Sequence, residues 1–201
     1  MTRVSAILLG AGESKRMGVN KLTLPWGRQT VFEHSLKTLL SSKVSEIVVV
    51  LSDRTKEIRQ RLDERRVKIV MNRDYRKGMS TSVRKGVRAT DPRSDGILIA
   101  LGDQPFLRAG TINALLRAFG ATRGTIVVPS FRGRRGHPVI FDRRFARDLM
   151  ALKGDVGGRS LIEKYPAEVR VVRVRTEGVI KDLDTWKEYK RAQGSKVKAQ
   201  S

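Results

Sequence analysis

The chain of 201 residues contains no cysteine. That absence excludes a disulfide framework, thiolate metal sites and thiol nucleophiles, and leaves oxygen or histidine to bind any metal. No apolar run reaches the roughly 18 residues that a membrane-crossing helix needs, so no membrane partner is expected. The start, Met1-Thr2-Arg3-Val4, enters an amphipathic strand pattern directly, without the apolar stretch and cleavage site of a secretory signal, and a cytoplasmic location is expected. Aromatic residues are only 5% of the chain, and nothing in it resembles a base-stacking platform or a groove-reading helix. Acidic residues are scarce too: 20 Asp plus Glu face 42 Lys plus Arg, a formal net charge of +22. A field of that sign attracts nucleic acid, acidic membrane or phosphorylated small molecules without choosing among them. Most of these basic residues are scattered singly along helices; Arg132-Gly133-Arg134-Arg135 and the tail from Lys187 form the patches.

What is present is an alternation of short β-branched runs and helix-length amphipathic segments, the pattern of a mostly parallel sheet covered by helices. Strands are expected at 4–9, 44–51, 67–71, 96–101, 125–129, 137–141 and 169–174. Helices are expected around Val31, Phe32, Leu36, Leu39 and Leu40 behind a Thr30 cap, around Ile58 and Leu62, around Val83 and Val87 entered from Ser80 and Ser82, and around Ile112 to Phe119 behind Thr111. The length and this pattern imply one α/β domain over 1–190. The polar, lysine-rich residues 191–201, without apolar period, are expected to fray.

Three constellations could carry chemistry. The first is the loop Leu9-Gly10-Ala11-Gly12-Glu13-Ser14-Lys15-Arg16-Met17-Gly18 after strand one, where glycine lets the backbone approach a ligand and turn N–H groups toward phosphate oxygens, with Arg16 and Lys21 adding charge. Its spacing is neither the G-x-x-x-x-G-K-S/T of P-loop enzymes nor the G-x-G-x-x-G of dinucleotide binders, and a plain strand-to-helix turn is the alternative. The second is Leu101-Gly102-Asp103-Gln104-Pro105, following the apolar strand that ends at Leu101. Ligands of open parallel sheets bind at the carboxyl ends of the strands, so Asp103 should open onto the same crevice as the first loop. It can hold Mg²⁺, which commonly takes one or two carboxylates plus substrate phosphates, or simply cap a turn. The third is Lys181-Asp182-Leu183-Asp184-Thr185, in which either aspartate could supply a second carboxylate, or Asp184 could cap the helix that starts at Trp186.

Together Leu9-Gly10-Ala11-Gly12, Arg16-Met17-Gly18, Lys21-Leu22, Leu24-Pro25, Asn72, Gly78-Met79-Ser80-Thr81-Ser82, Leu101-Gly102-Asp103-Gln104-Pro105, Gly133-Arg134-Arg135-Gly136-His137-Pro138-Val139 and Asp182-Leu183-Asp184-Thr185 resemble the MobA-like NTP transferase family, over about residues 4–190 and in the family's order. The molybdenum cofactor cytidylyltransferase branch is the nearest likeness. The resemblance implies a Rossmann-like fold of the nucleotide-diphospho-sugar transferase type. It also implies transfer of a nucleoside monophosphate from an NTP to a phosphorylated acceptor, with Mg²⁺ and release of pyrophosphate. It makes Leu9, Gly10, Ala11, Gly12 and Lys21 nucleotide contacts, sets Asn72, Gly78, Ser80 and Ser82 near base and ribose, and makes Asp103 a metal ligand completed by Asp182 or Asp184. In this branch the region of Arg134, Arg135 and His137 faces the pterin, which makes these three the acceptor-binding residues, though a histidine before proline at a strand entry also has an ordinary structural reading.

The family's cytidylyltransferases read L-A-A-G at the first loop and its guanylyltransferases L-A-G-G, whereas this chain reads Leu9-Gly10-Ala11-Gly12, whose third position favours CTP. The expected reaction is attack by an acceptor phosphate oxygen, that of molybdopterin, on the α-phosphorus of CTP. Lys21, Arg16 and Asp103 would be the catalytic groups, Lys21 at the α- and β-phosphates and Arg16 at the leaving pyrophosphate. A molybdoenzyme or its chaperone would receive the product. Guanylyl or sugar-phosphate nucleotidyl transfer is the alternative within enzymes, and a basic nucleic-acid-binding protein the alternative outside them, with no specific nucleic acid expected under the first reading.

Overall fold

The structure, a computed structural model, describes residues 2–198 other than 13, 15, 16, 123 and 124, and of 194–198 the backbone alone. In chain order the elements are β1 (Val4–Gly10), the small hairpin β2 (Pro25–Trp26) and β3 (Gln29–Thr30), α1 (Val31–Leu40), β4 (Glu46–Leu51), α2 (Lys56–Arg59) and β5 (Lys68–Met71). Then come α3 (Met79–Ala89), β6 (Gly96–Leu101), α4 (Ala109–Gly120), β7 (Ile126–Phe131), β8 (Arg134–Arg135) and β9 (Val139–Asp142). The chain ends with α5 (Ala146–Ala151), α6 (Arg159–Lys164), β10 (Val169–Arg173) and α7 (Trp186–Lys198).

The main sheet has the order β10-β7-β9-β6-β1-β4-β5, with β8 added on β7. β9 and β8 run antiparallel to their neighbours and the remaining pairs are parallel. The expected α/β fold with a mostly parallel sheet is therefore present. From β1 the chain moves outward to β4 and β5, then returns to place β6 on the other side of β1. The reversal sets the crevice at the carboxyl ends of β1 and β6, the place where open parallel sheets bind ligands.

Every residue of β1 is buried, as its unbroken apolar run requires for a strand covered on both faces. Its alternate side chains enter two cores. Ala6 and Leu8 join Phe32, Leu36 and Leu39 of α1 and Ile112, Leu115 and Phe119 of α4. Ile7 and Leu9 join Val83 and Val87 of α3, Leu149 of α5 and Leu161 and Ile162 of α6. α1 starts on the expected Thr30 cap, which forms a reciprocal capping box with Glu33.

Several boundaries differ from expectation. The helix around Ile58 and Leu62 is only the single turn of α2, since two apolar positions bury too little to hold a longer one. α3 begins at Met79, so Ser80 and Ser82 lie inside it, and α4 begins at Ala109, with Thr111 buried in its first turn. α7 runs to Lys198, with Tyr189 and Ala192 buried against Met17, Trp26, Val31 and Leu183; residues 199–201 of the tail expected to fray lie outside the described residues.

The ring of Phe32 sits beneath both loops that leave the carboxyl ends of β1 and β6. A Cβ on Gly10 would lie 2.5 Å from Phe32 Cε2, and one on Gly102 would lie 2.6 Å from Phe32 Cδ2 and 2.9 Å from the Leu9 carbonyl oxygen. Nothing lies within 4 Å of a Cβ on Gly12. Gly102→Ala is therefore expected to cost about 1–3 kcal/mol of folding stability by overpacking. Gly12→Ala should stay within about 0.5 kcal/mol of the parent. Urea denaturation of the two variants checks this; equal losses would contradict the packing assignment.

Candidate active site

The crevice encloses about 700 Å³. Of the residues expected from sequence, Leu9, Ala11, Gly12, Lys21, Gly78, Ser82, Asp103, Asp182 and Asp184 line it. Arg16 lies outside the described residues.

Its chemical centre is one ammonium group. Lys21 Nζ stands 2.5 Å from Asp103 Oδ2 and 2.6 Å from Asp184 Oδ1, and all three side chains are largely shielded from solvent. Three distant segments supply them. Lys21 opens a single 3-10 turn capped by the Asn20 side chain, Asp103 follows β6 directly, and Asp184 precedes α7. The backbone reinforces the meeting, for Leu183 N–H donates to the Asp103 carbonyl at 3.2 Å. Beside them Gln104 is buried and its Nε2 donates to Asp182 Oδ1 at 3.1 Å.

Burial pushes the Asp103 carboxyl above the ordinary value, Lys21 opposes this, and the like charges of Asp182 and Asp184 add to it. Burial acts to lower the Lys21 ammonium, but Asp103 and Asp184 outweigh it and hold the group above its usual value. Lys21 is thus firmly charged at neutral pH. The other oxygen of Asp103, Oδ1, is buried and makes no hydrogen bond, and the same is true of Gln104 Oε1. Among the described residues no group of three or more His, Asp or Glu is arranged to hold an ion by itself. Asp103 and Asp184 share Lys21 instead.

The remaining expected residues are distributed differently. Gly10 is not in the lining; its missing side chain makes room for Phe32. Asn72 is buried behind the wall, where its amide nitrogen donates to Thr81 Oγ1 at 2.8 Å and Ser82 Oγ at 2.9 Å, so it reaches the crevice only through Ser82. Ser80 is buried and also outside the lining, its Oγ without a hydrogen bond. Gly78 has φ of +105°, and a Cβ there would collide with the backbone of Gly154 and Asp155. Arg134 and Arg135 are exposed on β8, and neither they nor His137 line the crevice. His137 donates its backbone N–H to Val179, and burial lowers its imidazole pKa against the pull of Asp182 and Asp103, so the ring is neutral at pH 7.

Sequence reasoning gave no site role to Ser14, Tyr75, Arg76, Lys77 and Met79, all of which line the crevice. Arg76 and Lys77 had a signal, as adjacent cations just before the glycine that enters α3. Asp155 also lines the crevice. Its Oδ1 accepts the Met79 backbone N–H at 3.1 Å and Gly154 O accepts that of Ser80 at 3.2 Å, so this loop caps α3.

Residues 6–169 match the MobA-like NTP transferase domain. The chain belongs to that family. It is similar to the purine catabolism protein PucB of Bacillus subtilis, at 33% identity over 91% of this chain and 92% of that one. It is also similar to the nicotine blue oxidoreductase of Paenarthrobacter nicotinovorans, at 31% over 90% and 92%. The molybdenum cofactor cytidylyltransferase of Escherichia coli is 30% identical over 71% of this chain and 72% of its own. Among solved structures, a nucleotidyl transferase from Methanothermobacter superposes with a TM-score of 0.85 at 25% identity, covering 99% of this chain and 100% of that one. A Mycobacterium tuberculosis protein solved in complex with manganese superposes at 0.81 and 26%, covering 94% and 97%. Fold and family are those of NTP-using nucleotidyltransferases of the MobA-like type. No helix among the described residues is long and apolar enough to cross a membrane.

Removing the Lys21 charge leaves Asp103 buried without its partner. Lys21→Met is expected to lower folding stability by roughly 3 kcal/mol at pH 7, the low end for a broken buried pair. Asp103 binds its proton more tightly folded than unfolded, the more so without Lys21. Acidification from pH 7 toward the ordinary value of 3.8 therefore favours the folded variant, and its deficit should narrow. Denaturant titrations at pH 7 and pH 5 read this; a deficit that widens at pH 5 would contradict the assignment.

Proposed function

We propose that the chain transfers CMP from CTP to the phosphate of molybdopterin-type molybdenum cofactor, with a divalent metal, Mg²⁺ in the first instance, and release of pyrophosphate. The observation that carries a phosphate-handling reading is the Lys21 ammonium held between Asp103 and Asp184 at the mouth of the β1 loop. Such a group is already charged, already at the carboxyl ends of β1 and β6, and held by carboxylates that a metal can take over.

The residues fit a divalent cation of the hard, oxygen-seeking kind. Asp103 offers a buried oxygen with no hydrogen bond, and Asp182 and Asp184 lie in the same lining. With no self-sufficient cage among the described residues, the ion would be completed by substrate phosphates, as Mg²⁺ commonly is. When bound it would neutralise charge on the phosphates and polarise them. That the Mycobacterium tuberculosis protein was solved in complex with manganese supports a divalent cation of this class.

The protein's own part is to place two polyanions and absorb charge. Backbone N–H groups of the Ala11 and Gly12 segment, with Lys21 released from its carboxylates, would hold the triphosphate, and Arg16 would meet the leaving pyrophosphate. An acceptor phosphate oxygen forms the new bond to the α-phosphorus as the bond to the bridging oxygen breaks, and that oxygen leaves with pyrophosphate. No protein nucleophile is required. Arg76 and Lys77 add positive charge to the opposite wall. Gly78 and Ser82, the latter oriented by Asn72, would face base and ribose; Ala11 at the third position of the first loop favours cytosine. Arg134, Arg135 and His137 stand outside the crevice lining, so their part in acceptor binding would be to draw the acceptor toward the mouth.

One observation keeps a second reading of the acceptor and base in view. The relatives named for purine catabolism and for nicotine blue each align with about nine-tenths of this chain, further than the cytidylyltransferase does. Neither name specifies a nucleotidyl acceptor; guanylyl or sugar-phosphate nucleotidyl transfer is the alternative.

Incubating the protein with Mg²⁺, each of the four NTPs and molybdopterin or its molybdenum form, and measuring pyrophosphate, tests the reading. CTP-dependent release is expected. Selective use of GTP would move the reading to guanylyl transfer, and no release with any NTP would overturn it. Lys21→Met should lower kcat by about 10²–10³, the usual loss for one charge-stabilising group, in protein still folded at the assay temperature.

A further inference from the structure

We propose that Trp186, at the start of α7, is a positioning residue that pins the nucleotide loop; the proposal rests on the reading of that loop as the triphosphate site. The indole Nε1 donates to the Met17 backbone carbonyl at 3.1 Å, across 169 positions of sequence. The Trp186 side chain is 41% exposed, too open for core packing to be its main work. Its ring stands edge-on to Tyr189, centroids 5.9 Å apart, which aims the N–H at the loop.

Met17 is where that loop closes. Its N–H donates to the Ser14 carbonyl at 3.1 Å, and Ser14 Oγ accepts the backbone N–H of Lys21 at 3.2 Å. Fixing Met17 therefore fixes the approach to Lys21. α7 is itself held to the hairpin after Lys21, for Tyr189 Oη and Gln193 Nε2 both donate to the Pro25 carbonyl, at 2.6 and 2.7 Å. The first turn of α7 reaches the other side of the ion pair as well. One oxygen of Glu188 accepts the backbone N–H groups of Asp184 and Thr185 and the Thr185 hydroxyl, at 2.9, 2.8 and 2.9 Å, which sets the backbone that carries the Asp184 carboxylate.

One helical turn thus positions both Lys21, through Met17 and Ser14, and its partner Asp184. Trp186 and Glu188 lie beyond residues 6–169, the segment that matches the family domain. The positioning is carried by Trp186 and Glu188.

Trp186→Phe keeps the ring and removes the donor. Hydrogen exchange of the peptide spanning residues 9–22 is measured on full-length wild type and variant, with CTP kinetics and thermal midpoints alongside. Faster exchange is expected, with the CTP KM raised about three- to tenfold, the worth of one net hydrogen bond, and kcat and midpoint essentially unchanged. Unchanged exchange in that peptide would overturn the proposal. So would accelerated exchange with an unaltered CTP KM, since the pinning would then not serve the nucleotide. If wild type binds no NTP while the variant's exchange still rises, the nucleotide assignment of the loop has failed and the pinning of Met17 has not.

Discussion

The interaction on which the site depends is the sharing of one ammonium by two carboxylates that reach it from distant segments of the chain. Lys21 belongs to the connection after β1, Asp103 to the end of β6 and Asp184 to the segment before α7. Withdrawing such charges from water is costly, and an apolar cluster of similar volume would hold the segments together at least as well. Stability alone therefore does not account for the trio. Under the proposed function the trio has a use: the carboxylates keep Lys21 charged in a poorly solvated place and would pass to a metal when phosphates claim the lysine.

The scaffold beneath this trio is apolar and simple. The return of the chain from β5 to β6 opens the crevice beside β1, and the ring of Phe32 sets the depth of both loops by occupying the space that Gly10 and Gly102 leave. Ser35 on the next turn of α1 donates to the Gly102 carbonyl at 3.1 Å, fastening the Asp103 loop to the same helix. One helix face thereby governs the relative height of the β1 loop and the Asp103 loop.

Strand positions and sheet type were legible because buried parallel strands are short β-branched runs, and Val4–Gly10 and Gly96–Leu101 read that way unaided. The convergence of the β1 loop with Asp103 was legible as well, since both follow such strands. Long-range pairing was not. Nothing local shows that Lys21 lies on both Asp103 and Asp184, or that the Asn72 amide is spent on Thr81 and Ser82 rather than on a ligand. Glycine has several uses, and from sequence the packing role of Gly10 looks the same as the exposed backbone of Gly12. The packing of α7 was not legible for a similar reason: a helix from Trp186 was expected, but Met17 and Trp26, which cover its Tyr189 and Ala192, are far away in sequence.

The proposed function has Lys21 and a divalent cation compete for Asp103 and Asp184, with nucleotide phosphates deciding the outcome. Titration of the full-length protein with Mn²⁺, followed by electron paramagnetic resonance with and without CTP, tests it most directly. Weak binding of the free ion, strong binding in the presence of CTP, and strengthened binding of the free ion in Lys21→Met are the expected results. Tight Mn²⁺ binding to the free protein, indifferent both to CTP and to the loss of Lys21, would contradict it.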